Sequence, residues 1–335
     1  MKKITLGVDI GGINSAFGVV DSDGEIYAEG GISTKAYPLF KDYSSYVEAL
    51  ASSMRSMLEA LDFEWELVGI GIGAPNANYY EGTIEQPANL WKFSGEEQNP
   101  DEKLRVFRLC EDLNSYFPET SNVLMTNDAN AATIGEMIYG NARGMRDFVM
   151  ITLGTGLGSG FVANSQMIYG KDGFAGELGH MTIERGGREC GCGKLGCLEC
   201  YVSATGIKRT AFELMATMRA KSTLRDVPFK DLDSAMLYHA AKKGDPIALE
   251  AFRFTGEKLG EALSTMAVVF SPEAFILFGG LAKAGELILE PTLKYMEENM
   301  MPAFRGKIKL LESGIQDRNV AVIGAAALIW QQQSI

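Results

Sequence analysis

The residues best suited to chemistry lie between positions 177 and 199. His180, Cys190, Cys192 and Cys197 follow the pattern H-x9-C-x-C-x4-C, with Glu177 three residues before the histidine and Glu199 two after the last cysteine. Three thiols and one imidazole are the donor set of a tetrahedral structural zinc site, and glycines at 186, 187, 191, 193 and 196 let a short loop fold around an ion. Carboxylates compete poorly with thiolates for zinc, which leaves Glu177 and Glu199 for the hydroxyls of a polyol. The alternative is a loop holding a few buried cysteines. The short spacings, and the use of one of only two histidines in the chain, weigh against it.

Two glycine-rich turns are suited to phosphates. Asp9-Ile10-Gly11-Gly12 ends an apolar run, and Leu153-Gly154-Thr155-Gly156-Leu157-Gly158-Ser159-Gly160 ends another, with a hydroxyl at Thr155. Glycine lets a phosphate approach backbone amides without a side chain between them. The first turn alone reads better as an ordinary tight hairpin; two at equivalent points favour a ligand. Neither is a Walker A loop, since no Gly-Lys-Ser/Thr follows. Asp128 stands where a strand gives way to a helix, a place for a general base or for a helix cap. Asn89, in a loop with Tyr79, Tyr80, Trp91 and Phe93, can donate to and accept from neighbouring sugar hydroxyls. His239 stands alone on a helix and reads as a surface residue.

These residues need strands and helices to aim them. Ile4–Asp9, Ser15–Asp21 and Glu25–Ser33 read as an antiparallel meander with a Ser22-Asp23-Gly24 turn. Asp42 is the expected cap of a helix in which Tyr46, Val47, Leu50, Met54, Met57, Leu58 and Leu61 repeat at helical spacing. Leu67–Ile72 reads as a buried strand, 73–100 as a long irregular segment, Asn122–Thr126 as a strand and 129–139 as a helix ended by Gly140. Phe148–Leu153, a turn over 154–158 and Ser159–Ala163 then repeat the strand, glycine turn, strand order of the N-terminus, an internal duplication. Residues 205–220 and 245–270 read as helices, Ala274–Phe278 as a strand followed by Gly279-Gly280, and 318–335 as an apolar helix docked on the first domain.

Length and composition set outer bounds. The 335 residues are 46% hydrophobic and 22% charged, enough for two packed domains and too apolar for disorder. A net charge of −12 opposes non-specific attraction to nucleic acid or anionic membranes. A nucleotide would therefore be held by amides, helix ends and a divalent metal more than by lysines. No apolar run is long enough to span a bilayer and the polar start does not read as a signal peptide, so the expected location is cytoplasmic. Four of five cysteines fall between 190 and 200, which suits a metal site in a reducing compartment; Cys110 reads as a core thiol.

Five motifs in order, Asp9-Ile10-Gly11-Gly12, Asn127-Asp128-Ala129-Asn130-Ala131-Ala132, Leu153-Gly154-Thr155-Gly156, Glu177-Leu178-Gly179-His180 and the Cys190/Cys192/Cys197-Leu198-Glu199 segment, resemble the ROK family of repressors, open-reading-frame proteins and sugar kinases. The resemblance spans nearly the whole chain. It implies an α/β fold of two RNase H-like, actin-like ATPase domains facing an interdomain cleft, with ATP in the cleft and a sugar beneath it, and a homodimer. The expected division is 1–125 plus 318–335 for the small domain and 126–317 for the larger one with the zinc loop.

Carried over by residue, the resemblance implies that Asp128 is the base for the sugar hydroxyl and that Asp9 helps hold Mg²⁺ through water. Asn89, Asn127, Asp128, Glu177, His180 and Glu199 become sugar contacts. His180, Cys190, Cys192 and Cys197 hold structural zinc, Gly11, Gly12, Gly154, Thr155 and Gly156 cradle the phosphates, and Gly279 and Gly280 lie under the adenine. One position departs. The family's first turn usually reads Gly-Gly-Thr, and Ile13 stands at the third place, removing a neutral hydrogen bond of about 0.5–1.5 kcal/mol; Asn14 and Ser15 are the expected substitutes. The reading is an ATP-dependent glucokinase. Its alternatives are a kinase of another hexose or an N-acetylhexosamine, a catalytically weak sugar-binding protein, and a sugar-sensing regulator. The acidic balance, and the three residues before the first strand, count against the last.

Overall fold

The computed structural model describes residues 1–37, 39–85, 106–315 and 319–333, without the side chains of 39–42 and 333. Chain contacts divide it into two units, one of Met1–Gly144, Met167–Ala175 and Gly314–Ile335, the other of Met145–Gln166 and Gly176–Ser313. The expected boundary after residue 125 differs from this division, which keeps the helix at 128–139 and the excursion 167–175 with the first unit.

In the first unit β1 (Lys2–Ile10), β2 (Ser15–Val20) and β3 (Ile26–Ile32) form the expected meander. After α1 (Leu39–Glu59), β4 (Trp65–Gly73) pairs parallel with β1. Alternation along β1 sends Ile4, Leu6, Val8 and Ile10 into one core with Tyr46, Val47, Leu50 and Met54 of α1. Asp42 does not cap this helix, which begins three residues earlier at Leu39. The segment expected to be irregular holds β5 (Ala77–Asn78) and β6 (Thr83–Glu85), joined by β7 (Val106–Phe107) in a small separate sheet. Then come α2 (Leu109–Asn114), β8 (Val123–Thr126), parallel to β4, and α3 (Asp128–Tyr139).

The second unit repeats the plan. β9 (Phe148–Leu153) pairs antiparallel with β10 (Leu157–Ala163), β11 (Gln166–Met167) extends that edge, and the helices α4 (Ala204–Thr217), α5 (Ser234–Lys242) and α6 (Pro246–Phe270) follow. β12 (Ala274–Phe278) lies parallel to β9, and after α7 (Glu286–Asn299) comes β13 (Lys309–Glu312), parallel to β12. Strand order β3-β2-β1-β4-β8 in one sheet matches β11-β10-β9-β12-β13 in the other, which is the duplication read from sequence. The second glycine turn is tighter than expected, because β10 starts at Leu157 and leaves only 154–156 between the strands.

The chain returns to the first unit as α8 (Val320–Gln333), which packs on β1, β4 and α3. The approach is close enough that a Cβ at Gly7 would lie 2.0 Å from Val322 O, and one at Gly71 would lie 1.8 Å from Ala325 O. These sheet glycines are what let an apolar helix lie against the backbone of β1 and β4. Among the described residues no helix is long and apolar enough to cross a membrane.

Candidate active site

The carboxyl ends of parallel strands are where α/β sheets present ligands with side chains. Asp9 on β1 pairs with Gly73 on β4, and Gly73 pairs with Thr126 on β8, so one ladder row leads straight to Asn127 and Asp128. The cap of α3 is Asn127, whose Oδ1 accepts from Ala129 N at 2.8 Å; Asp128 Oδ1 accepts from the same amide at 2.8 Å. Capping is thus met by Asn127, and Asp128 stays exposed with no cation paired to it among the described residues. Protein crowding around the carboxyl pushes it above the ordinary carboxylate range, against the Ala129 amide, which favours the ionised form. Asp9 is half-buried and pushed up to about 6, by burial first and then by the charge of Asp128.

The first glycine turn closes through Gly11 N donating to Asn14 O at 3.0 Å. Gly12, Ile13 and Asn14 are exposed, and Ile13 is 66% exposed, so its side chain neither fills the core nor distorts the turn. Ile13 O accepts from Lys35 N at 3.1 Å and from Ser33 Oγ at 3.4 Å. Ser15 does not supply the missing hydroxyl: it is buried, 2.7 Å from both Thr34 Oγ1 and Tyr46 OH. Asn14 is the exposed candidate that remains.

In the second unit Gly154 N donates to Gly156 O at 3.0 Å. The amides of Thr155 and Gly156 and the Thr155 hydroxyl have no protein acceptor among the described residues, a small set of donors suited to an anion. Gly279 adopts φ 103° beside β9, and Leu281 N donates to Leu153 O at 3.1 Å, which places the Gly279-Gly280 pair beside the end of the strand that leads into this turn.

His180, Cys190, Cys192 and Cys197 come together, their ligand atoms all within 4.8 Å of one another. Cys190 Sγ lies 3.6 Å from His180 Nδ1, and Cys192 Sγ lies 3.7 Å from Cys197 Sγ. A tetrahedral zinc with bonds of about 2.3 Å to sulfur separates its ligands by roughly 3.7 Å, so the donor set fits the ion in kind and in spacing. Burial, then the adjoining thiols, push the Cys197 thiol up to about 12. Nδ1 of His180 faces the thiols and Nε2 lies 3.9 Å from Glu177 Oε2. Cys200 stays outside the cluster, its Sγ 3.5 Å from Glu189 O. Arg188 pins the loop to the body of the unit through Cys200 O, Thr210 Oγ1 and Glu213.

Glu199 is more engaged than its spacing alone suggested. Its Oε2 accepts from Leu157 N at 2.9 Å and its Oε1 lies 3.8 Å from Cys190 Sγ. Ala204 and Thr205, which sequence reasoning passed over, also reach the glycine turn: Ala204 N donates to Gly154 O at 2.9 Å and Thr205 Oγ1 to Thr155 O at 3.0 Å. Their one signal in sequence was Ser203, a helix cap that fixes where α4 begins. Tyr79 stacks on Tyr169 with ring centroids 3.9 Å apart, so this part of the aromatic loop packs down. Asn89, Trp91 and Phe93 lie outside the described residues. His239 is exposed on α5 and Cys110 packs against the first core, both as read from sequence.

The ROK family model matches residues 5–332. A glucokinase from Thermotoga maritima is 32% identical over 332 residues, covering 98% of this chain and 98% of that protein. The crystal structure of a ROK family glucokinase from Streptomyces griseus in complex with glucose and AMPPNP is similar at a TM-score of 0.78 and 30% identity, covering 98% of this chain and 99% of that one. An N-acetylglucosamine repressor from Escherichia coli O157:H7 is 24% identical over 326 residues, covering 97% of this chain and 74% of that protein.

Proposed function

The chain belongs to the ROK family, and we propose that it transfers the γ-phosphoryl group of ATP to a hexose hydroxyl, converting glucose to glucose 6-phosphate. Identity to a glucokinase along almost the full length of both chains supports this reading, and the fold is that of the two-domain, actin-like ROK sugar kinases. The observation that carries the chemistry is Asp128, an exposed carboxylate with raised proton affinity at the end of a strand row that also presents Asp9.

In this reading Asp128 accepts the proton of the sugar hydroxyl as its oxygen bonds to phosphorus and the bond to the ADP oxygen breaks. Phosphoryl transfer asks little of a base before the transition state, so one positioned carboxylate is enough. Asp9 would help hold Mg²⁺ through water, and the ion would neutralise charge on the phosphate oxygens. Phosphate oxygens are received by the backbone of Gly11 and Gly12 and by Gly154, Thr155 and Gly156, with Gly279 and Gly280 beneath the adenine. Asn89, Asn127, Glu177, His180 and Glu199 contact the sugar. His180, Cys190, Cys192 and Cys197 would hold a structural zinc, which would stiffen the loop that carries three of those contacts. The same reading includes a cytoplasmic homodimer, which sedimentation would check.

The test is ADP release from Mg²⁺-ATP against a panel of hexoses and N-acetylhexosamines, beside Asp128→Asn. Glucose is expected to give the highest kcat/KM, with turnover lost in the variant. A different best sugar would move the substrate assignment, and a fully active variant would remove Asp128 from the mechanism.

A further inference from the structure

The glycine turn at 154–156 is held by the segment Glu199 to Thr205, which begins two residues after Cys197 and runs into the first turn of α4. Three bonds reach the turn: Leu157 N to Glu199 Oε2 at 2.9 Å, Ala204 N to Gly154 O at 2.9 Å, and Thr205 Oγ1 to Thr155 O at 3.0 Å. The segment is itself braced, since Ser203 Oγ donates to Glu199 O at 2.8 Å and caps α4 by accepting from Gly206 N at 2.9 Å. On the other side of the Glu199 carboxylate, Oε1 faces Cys190 Sγ at 3.8 Å. The carboxylate presses so closely on the turn that a Cβ at position 156 would lie 2.2 Å from Oε2, and a side chain there would have to displace it.

We infer that Glu199 is a positioning residue for the phosphate turn: through it and the first turn of α4, the Cys3His loop fixes the backbone of residues 154–156. An amide bonded to a carboxylate is a charge-assisted contact and stronger than a neutral one. It aligns the strand start at Leu157, and with it the amides of Thr155 and Gly156 that have no protein acceptor among the described residues. A turn ordered before the ligand arrives spares the ligand the entropy of ordering it. The metal loop and the phosphate turn are thereby coupled through Glu199 and the first turn of α4, so a ligand that orders one prepares the other, and the effect is reciprocal. The nucleotide half of this inference rests on the kinase reading; the mechanical half does not.

Two readouts separate them. The first is amide exchange at Leu157, Thr155 and Gly156, followed by NMR in the zinc-loaded protein without nucleotide. The second is AMPPNP affinity with Mg²⁺ by calorimetry. Both are measured in the parent chain, Glu199→Gln, Glu199→Ala and Thr205→Val. Loss of the charge-assisted bond in Glu199→Ala is expected to speed Leu157 exchange and to weaken AMPPNP by about tenfold each. Glu199→Gln, whose side-chain oxygen still accepts from Leu157 but without the charge, should fall between the parent and Glu199→Ala in both. Thr205→Val severs only the Thr155 link and should loosen the turn with zinc content unchanged, which keeps the test valid if Glu199→Ala does not fold. Exchange at the turn unchanged in Glu199→Ala, or in Thr205→Val where that variant stands in, would overturn the inference. Faster exchange in a protein that binds no AMPPNP would uphold the clamp and sink the kinase reading instead.

Discussion

The charge of Asp128 helps hold the Asp9 carboxyl up, at about 6, with burial the larger cause. The two acids sit at the carboxyl ends of β1 and β8, the strands that flank β4 in one sheet, and no cation is paired to either among the described residues. When both are ionised, the charge of Asp128 disfavours that of Asp9. A proton relieves that repulsion at low pH; a divalent cation relieves it at neutral pH. A pair of this kind suits phosphoryl transfer, in which one carboxylate serves the metal and the other the nucleophile.

Asp128→Asn separates the two roles. Turnover is expected to fall about 10²–10⁴-fold, the usual reach of a general base, with sugar affinity little changed. The same variant removes the charge that helps raise Asp9, so the Asp9 carboxyl should titrate below about 6, while burial keeps it above the ordinary range. Carbon-detected NMR of the Asp9 side chain across pH 3–8 checks the second point independently of activity. No downward move in Asp9 would show that the two carboxylates do not interact.

Asp9 is expected to cost stability at neutral pH. Its folded value near 6 lies above the unfolded value of about 4, so between those pH values the folded state keeps a proton that the unfolded state has released. Stability from this group is therefore full below about pH 4 and lost as pH rises through 6. Asp9→Asn, which carries no charge, should stabilise the metal-free protein at pH 7 on the order of 1–3 kcal/mol, nearer the lower figure because the group is only half-buried. Denaturant melts at pH 4 and pH 7 give the answer. A gain at pH 4 equal to that at pH 7 would contradict the assigned cause.

What the sequence made legible and what it hid follow from the range of the interactions. The meander, β4, β9, β12 and the apolar α8 carry their own periodicity, and the duplication shows as two glycine turns at equivalent places. The Cys3His set declares itself because ligand chemistry fixes both residue type and short spacing. The start of α1 was misplaced at Asp42 because helix starts respond to tertiary packing as well as to caps. Ser15 was mistaken for a spare phosphate donor because only the fold brings Thr34 and Tyr46 to its hydroxyl. The backbone bond that Glu199 makes, beyond its expected place as a sugar contact, was hidden for the same reason. Its partner Leu157 lies 42 residues away, and no local pattern announces that bond.

Ile13→Thr tests the one departure in the phosphate turns. Residue 13 is exposed and its backbone oxygen is already held by Lys35 N and Ser33 Oγ, so the new side chain should not disturb the hairpin. A regained neutral hydrogen bond is worth about 0.5–1.5 kcal/mol, or roughly two- to tenfold. The expected result is a lower KM for ATP or a higher kcat by that factor, with the KM for sugar unchanged. Steady-state kinetics with ATP varied at saturating sugar measures it. A variant no better than the parent would mean that Asn14 or the backbone amides already satisfy that phosphate oxygen.

Metal removal should act on ligand affinity before it acts on the fold. The ligand loop is short, and Arg188 holds it to α4 through Thr210 and Glu213, contacts that do not pass through the ion. The cores of both units contain none of the four ligand side chains except the buried Cys190 and Cys197. Chelation is therefore expected to leave far-UV circular dichroism nearly unchanged while sugar affinity falls, because Glu177, His180 and Glu199 lose the frame that aims them. Cys192→Ser makes the same cut genetically at the exposed ligand and should lower zinc content with little change in core packing. Zinc measured by a colorimetric chelator, with sugar affinity by calorimetry before and after readdition, checks both. Full sugar affinity in zinc-free protein would show that the loop holds its shape through Arg188 and its glycines alone.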